Sequence, residues 1–312
     1  MGNIHGDWPE RSRKQKERNF MNEKADIAII GGSGIYDTNM LDKVRTVDID
    51  TPFGKPSDSI TIGEHGDKNV CFLPRHGTGH RISPSELNSR ANIFALKKLG
   101  VRRIIAASAV GSLKKELAPL DIVIPDQIYD RTRSRPSTFF EDGIVAHIGF
   151  ADPFCPEMSS SLVDIARSKG YSVKEGGTYV CMEGPQFSTR AESRVYQSLG
   201  FDIIGMTAIP EAKLAREAEI CYSMIATVTD YDVWSEEDVT IEKVIENAVR
   251  NEAAVKDIIV EAIEKISLQQ NCMCKNALAG AITTSPEMIS YETRRKLDPL
   301  IGRYLKKSTA SY

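Results

Sequence analysis

The sequence predicts a single α/β domain, and three observations lead there. Strand-sized apolar runs stop abruptly in Gly, Ser, Thr, Arg or Asp. Helical stripes with capping residues separate them, and neither an internal repeat nor a linker divides two cores. With 312 residues, 41% hydrophobic, 27% charged and a formal net charge of −3, the composition is globular and long enough for a substantial core. That balance does not suggest the clustered basic surface a nucleic-acid backbone calls for. The apolar runs fall short of a membrane span and no apolar signal core follows Met1, so the expected location is the cytoplasm, without nucleic-acid or membrane partners.

In chain order, residues 1–24 are polar, with Arg11, Arg13, Lys14, Lys16 and Arg18 set against Glu10 and Glu17; they read as a mobile extension. Gly2 raises a myristoylation pattern, but Gly6 stands where it wants Ser or Thr. Met21 is an alternative start. Residues 26–34, DIAIIGGSG, are a strand entering a glycine turn whose N–H groups can converge on an anion. The spacing is not the dinucleotide fingerprint, which weighs against a dehydrogenase.

Short strands follow at 59–62 and 70–73, the second delivering Arg75 and His76. These suit a phosphate, Arg through its planar fork and His by donating a hydrogen bond. Ser83, Pro84 and Glu86 form a capping box that opens a helix stopped by Gly100. A strand at 103–107 ends in Ser108, Ala109, Val110, Gly111 and Ser112, and another lies at 121–124. Residues 129–154 form a long irregular connection carrying His147, of a length usually tied to function or a partner. A helix at 156–169 and a strand at 177–182 lead to Phe187, then to a second capping box at Thr189 and Glu192. A strand at 202–204 ends in Gly205, Met206 and Thr207, and residues 210–218 are helical.

The run at 221–234, CYSMIATVTDYDVW, is a buried strand opening at its carboxy end into Thr229, Asp230, Tyr231 and Asp232. Continued extended geometry would put Asp230 and Asp232 on one side. Mutual repulsion and desolvation would then raise one carboxyl enough to donate a proton; a solvated turn is the other reading. Ile241, Val244, Ile245, Ala248 and Val249 then recur at helical spacing, in a helix running to about residue 266.

Six cysteines are scattered: Cys71, Cys155, Cys181, Cys221, Cys272 and Cys274. The default is reduced, mostly buried thiols. Cys272 and Cys274 form a CxC too sparse for zinc without a second ligand pair, with a strained disulfide as the alternative.

Collected, Ser33, Arg75, His76, Ser108 and Thr207 are candidate anion binders, Phe187 is a stacking surface, and Asp230 with Asp232 form an acid and acceptor. That set suits cleavage of a nucleoside by phosphate. GGSGIYD, TPFGKPSD, RHGTGH, SAVGSL, DPFCP, MEGPQFSTRAES, GMTAIPEAKLAREAEICY and VTDYDVW, in order from Asp26 to about Ile266, resemble the methylthioadenosine-cleaving members of the trimeric purine nucleoside phosphorylase family.

The resemblance implies one phosphorylase/hydrolase-like domain at 25–270, with a central mixed, partly barrel-like sheet flanked by helices, and a tail at 271–312 without clear counterpart. It implies that Ser33, Arg75, His76, Ser108, Ala109 and Thr207 hold inorganic phosphate, a co-substrate, and that no cofactor or metal takes part. Met206 would pack on the ribose and Phe187 on the base. Asp230 would serve N7 and the amine of a 6-aminopurine, supported by Asp232. Ile241, Val244 and Ile245 would enclose a methylthio group, unless they are simply core, with His147 supplied by a neighbouring subunit of a homotrimer; a homohexamer stays open. The implied reaction is phosphorolysis of 5′-methylthioadenosine, in purine and methionine salvage, by a pentosyltransferase. Broader purine nucleoside phosphorolysis, of adenosine, inosine or methylthioinosine, and a non-catalytic nucleoside-binding protein are the alternatives. Departures are Ser33 and Ser108 where many relatives have Thr, Gly205 where some have Asn, and Leu120 where Gly is usual.

Overall fold

A computed structural model describes residues 23–32, 35, 38–234 and 240–305. Ser33 therefore lies outside the described residues. So do residues 1–22, with Gly2, Met21 and nearly all of the basic extension.

The described strands form one mixed 11-stranded sheet. They are β1 (Ile27–Gly31), β2 (Asp42–Val47), β3 (Ile60–His65), β4 (Lys68–Pro74), β5 (Arg103–Ser112), β6 (Ile122–Ile124), β7 (Gln127–Arg131), β8 (Val173–Glu175), β9 (Thr178–Met182), β10 (Ile203–Gly205) and β11 (Cys221–Asp230). The main path runs β2-β3-β4-β1-β5-β10-β9-β7, while β11 pairs with β5 and β6, and β6 with β8. β1 lies parallel to β4 and β5, and β11 parallel to β5; β2/β3, β3/β4, β5/β10 and β6/β11 are antiparallel.

Strand parity builds two cores. On β1, Ala28 and Ile30 face one way, Ile27 and Ile29 the other, and all four are fully buried. The first face is covered by α1 (Ser89–Lys98) and α4 (Ala208–Glu217), the second by α2 (Pro156–Ser168) and α5 (Ile241–Lys265). Short helices α3 (Arg190–Ser198), α6 (Tyr291–Lys296) and α7 (Asp298–Leu305) complete the set. Leu278, Ile289, Leu297, Leu300 and Ile301, all after Cys274, belong to the first core. Among the described residues no helix is long and apolar enough to cross a membrane.

Several local readings change. The Ser83 capping box closes only the 3₁₀ turn Pro84–Glu86, and α1 begins afresh with Asn88 accepting from the Ala91 N–H. β2, β7 and β8 are short or half-exposed strands without a clear apolar alternation, so periodicity did not reveal them. Leu120, where the resemblance makes Gly usual, carries the left-handed φ of +81° that favours Gly.

The feature that makes room for a site is the change of partner along β5. Its pairing with β1 ends at Ala106, and its pairing with β10 begins at Gly111. Ala107, Ser108, Ala109 and Val110, in between, line a cleft of about 530 Å³.

Candidate active site

One wall of the cleft comes from the residue after β4. Arg75 is buried, its Nε and Nη2 each donating to a Glu211 carboxylate oxygen at 2.9 Å, and its Nη1 to the Ala107 carbonyl at 3.0 Å. Glu211, in the first turn of α4, also accepts from the Tyr222 hydroxyl at 2.8 Å. This bidentate pair fixes the guanidinium plane at the cleft wall. Sequence reasoning did not single out Glu211; an acidic residue inside an otherwise apolar helical face was the available signal.

His76 Nδ1 lies 2.9 Å from the Ile82 carbonyl, so that nitrogen carries the proton. Burial, with the Arg75 charge beside it, pushes the imidazole down to about 4. His76 is thus neutral at pH 7 with Nε2 as an acceptor. Nε2 then suits the O–H of a protonated phosphate or of a sugar, and the donor role expected from sequence requires the doubly protonated ring.

Across the cleft, Ser108 Oγ and Thr207 Oγ1 are 3.0 Å apart, and the Thr207 N–H donates to the Tyr179 hydroxyl at 3.3 Å. Ser108 stands on β5 and Thr207 immediately before α4, so two elements bring a hydroxyl pair to one point. Gly205 permits this packing. A Cβ there would meet the Tyr179 hydroxyl at 2.1 Å.

The carboxylate pair is not arranged as continued extended geometry would have it. β11 has an irregularity between Val228 and Asp230 and ends there, and Asp232 sits in a 3₁₀ turn with φ of +52°. The two meet through that turn, the Asp232 N–H donating to Asp230 Oδ1 at 2.8 Å. Thr229 Oγ1 donates to Asp230 Oδ2 at 2.7 Å and Ser193 Oγ to Asp232 Oδ2 at 2.5 Å. Burial pushes both carboxyls above the usual range despite these donors, and for Asp232 the neighbouring Asp230 charge adds less than burial does. Asn247 and Asn251 of α5 donate to the Thr229 and Val228 carbonyls at 2.7 and 3.2 Å and so fix the strand end.

The remaining lining is apolar. Met206 and Phe187 border the cleft, as do Ile241, Val244 and Ile245. Ile241 and Ile245 are 54% and 55% exposed, which excludes the plain core reading for them in this chain. α5 changes roles along its length: its buried face is Asn251, Val255, Ile258, Ile259, Ala262 and Ile263.

Arg75, His76, Ser108, Ala109, Phe187, Met206, Thr207, Asp230, Asp232, Ile241, Val244 and Ile245 therefore share one cleft. His147 does not join them; it is exposed, its N–H donating to the Ala281 carbonyl at 2.9 Å. Arg135, also missed by sequence reasoning, is 4% exposed and donates to the Met206, Ile209 and Glu183 carbonyls, locking the loop beneath Met206.

Residues 26–264 match the phosphorylase superfamily. An S-methyl-5′-thioadenosine phosphorylase from Geobacter sulfurreducens is 52% identical over 282 residues, 89% of this chain and 99% of that protein. A methylthioadenosine phosphorylase from an antarctic soil metagenomic library superposes with a TM-score of 0.86 at 48% identity, covering 89% of this chain and 99% of that one. The Schistosoma mansoni methylthioadenosine phosphorylase in complex with adenine gives 0.78 at 38%, covering 83% and 99%. With that identity and coverage, the chain belongs to the phosphorylase superfamily, within its S-methyl-5′-thioadenosine phosphorylases.

Proposed function

We propose that this chain cleaves 5′-methylthioadenosine with inorganic phosphate, giving adenine and 5-methylthioribose 1-phosphate. The observation that carries the reading is Asp230, a half-buried carboxyl that desolvation raises above its usual range, in the same cleft as the Ser108–Thr207 hydroxyl pair and Arg75. A phosphate oxygen attacks the anomeric carbon as the bond to N9 breaks, and the bonding pair passes into the purine. The Asp230 proton goes to N7, so the base leaves neutral. Phosphate beside the sugar offsets the positive charge that develops there.

Asp230 also suits the choice of base. Both its oxygens already accept one hydrogen bond, and each keeps capacity for another, which the exocyclic amine of a 6-aminopurine supplies. A 6-oxopurine would set oxygen against oxygen. The half-exposed apolar turn at Ile241 and Ile245 supports a methylthio group over a 5′-hydroxyl, which would lack partners there.

The trimer belongs to the same proposal. His147 stands exposed on the loop after β7, backed by the Ala146–Ile282 bridge, in a position to be offered to a second copy. Light scattering on the purified protein tests it: three chains support the arrangement, a monomer that retains activity removes His147 from the site.

Adenine release from methylthioadenosine, measured with and without phosphate, tests the reaction itself. Release only with phosphate is expected; equal release without it would make the protein a hydrolase, and binding without release would make it a nucleoside-binding protein.

A further inference from the structure

A second chemical cluster lies at the opposite end of β11. Cys155, Cys221, Cys272 and Cys274 hold their Sγ atoms within 4.8 Å of one another, with Cys221 and Cys272 at 3.2 Å. Cys221 opens β11 and Asp230 closes it. At about 3.3 Å per residue, roughly 30 Å of strand separates Cys221 from Asp230.

The fold assembles it from distant stretches. The Cys155 N–H donates to the Tyr222 carbonyl at 2.8 Å, pinning the start of α2 to the start of β11. Arg103, opposite Cys221 in the register, is fully buried and donates to the Ser267 and Gln269 carbonyls and to Glu157 at 2.8 Å. Glu157 in turn accepts from the Asn271 N–H at 3.2 Å. These bonds hold the chain that carries Cys272 and Cys274 against Cys155 and Cys221. The CxC thereby gains the second ligand pair that local sequence does not show.

We propose that Cys155, Cys221, Cys272 and Cys274 form a closed tetrathiolate site for zinc that ties the carboxy-terminal segment to the domain. Zinc–sulfur bonds of about 2.3 Å in a tetrahedron place sulfurs about 3.8 Å apart, within the span of this cluster. The polar surroundings also suit thiolates. Arg103 Nη1 and Gln270 Nε2 donate to Cys221 Sγ at 3.0 and 3.2 Å. Donors of this kind stabilise sulfur anions, whereas disulfide sulfurs gain little from them.

A divalent cation would be shared by four thiolates, so thiol protons leave as it binds. Three of the four cysteines are buried and the fourth half-buried, so no open position is offered to a substrate. The role is structural.

The test uses the full chain purified under reducing conditions and loaded with zinc alone. Mass spectrometry under non-denaturing conditions should show about one zinc per chain, and cobalt in its place should give the thiolate charge-transfer and tetrahedral bands of a sulfur-ligated site. Cys272→Ser, at the half-buried ligand, should lower retained zinc about tenfold and abolish the cobalt bands. A zinc-loaded chain that keeps no metal, or octahedral cobalt bands, would overturn the proposal. So would alkylation at the moment of cell lysis that finds these four cysteines paired as disulfides. The cobalt spectrum of the unsubstituted protein decides the matter even where Cys272→Ser does not fold.

Discussion

The backbone N–H of Asp232 donates to the side chain of Asp230 at 2.8 Å, so one aspartate positions the other through a tight turn. Asp232 is 3% exposed and its own carboxylate is held by Ser193. In the proposed reaction Asp230 is the group that titrates, and Asp232 fixes it. Asp230→Asn keeps the shape but removes the transferable proton and turns one acceptor into a donor. Turnover of methylthioadenosine should fall by about 10²- to 10⁴-fold, while a 6-oxopurine nucleoside loses far less. The ratio of kcat/KM for the two substrates checks it; equal losses would take Asp230 out of base choice.

Glu211 offers a test of the phosphate end. It pairs with Arg75 where both side chains are nearly inaccessible, 2% and 3% exposed. Glu211→Gln leaves the guanidinium charge buried without its counter-charge, at a cost of about 3 to 5 kcal/mol. Arg75 should also lose its bidentate partner and with it the fixed plane, raising the KM for phosphate about tenfold with little change in purine binding. Urea midpoints and phosphate saturation curves measure the two effects separately. A loss of stability with an unaltered phosphate KM would mean that Arg75 holds the fold and not the anion.

Much of this was legible because strand ends announce themselves. Apolar runs that break into Arg75, Ser108, Thr207 and Asp230 marked the cleft, and one helical stripe marked α5. What escaped depends on contacts between elements far apart in the chain. Glu211, Arg135 and Ser193 matter through partners more than 35 residues away, which no local pattern displays. The geometry of Asp232 was left open between a continued strand and a turn for a different reason: the two-residue period does not say where a strand stops, and β11 stops at Asp230. The cysteine cluster escaped because its ligands come from three separate stretches, and a spacing rule reads only one of them.

Gly205 is a departure that the structure makes testable. Because a Cβ there would lie 2.1 Å from the Tyr179 hydroxyl and 2.7 Å from its Cζ, Gly205→Ala must displace the tyrosine. Overpacking of this kind costs about 1 to 3 kcal/mol. Tyr179 accepts from the Thr207 N–H, so the Ser108–Thr207 pair should move with it and the phosphate KM should rise. Adding Tyr179→Phe removes the nearer atom but not the ring carbon, so rescue should be partial. A double-mutant cycle on stability gives the coupling; strict additivity within about 0.5 kcal/mol would show that the two residues do not press on each other.

Two buried groups make opposite predictions about acid stability. Burial pushes Glu217 up to about 7 from 4.5, although the Thr138 hydroxyl and the Phe139 N–H donate to it at 2.7 Å. His76 is pushed down to about 4 from 6.5 by burial and by Arg75. The folded state holds the extra proton at Glu217, so its contribution is present below pH 4.5 and is lost as pH rises toward 7. At His76 the unfolded chain takes the proton first, so stability falls as pH drops from 6.5 toward 4. Between these limits the two slopes cancel. Glu217→Gln should uncover the histidine and make the protein lose stability toward acid; His76→Asn should uncover the glutamate and make it gain. Each change can reach about 3 kcal/mol over the window, at 1.36 kcal/mol per unit. Chemical denaturation from pH 4.5 to 6.5 measures both, and the differences between variant curves cancel whatever Asp230 and Asp232 contribute. Parallel curves for all three proteins would mean that neither group keeps its shifted protonation in the folded chain.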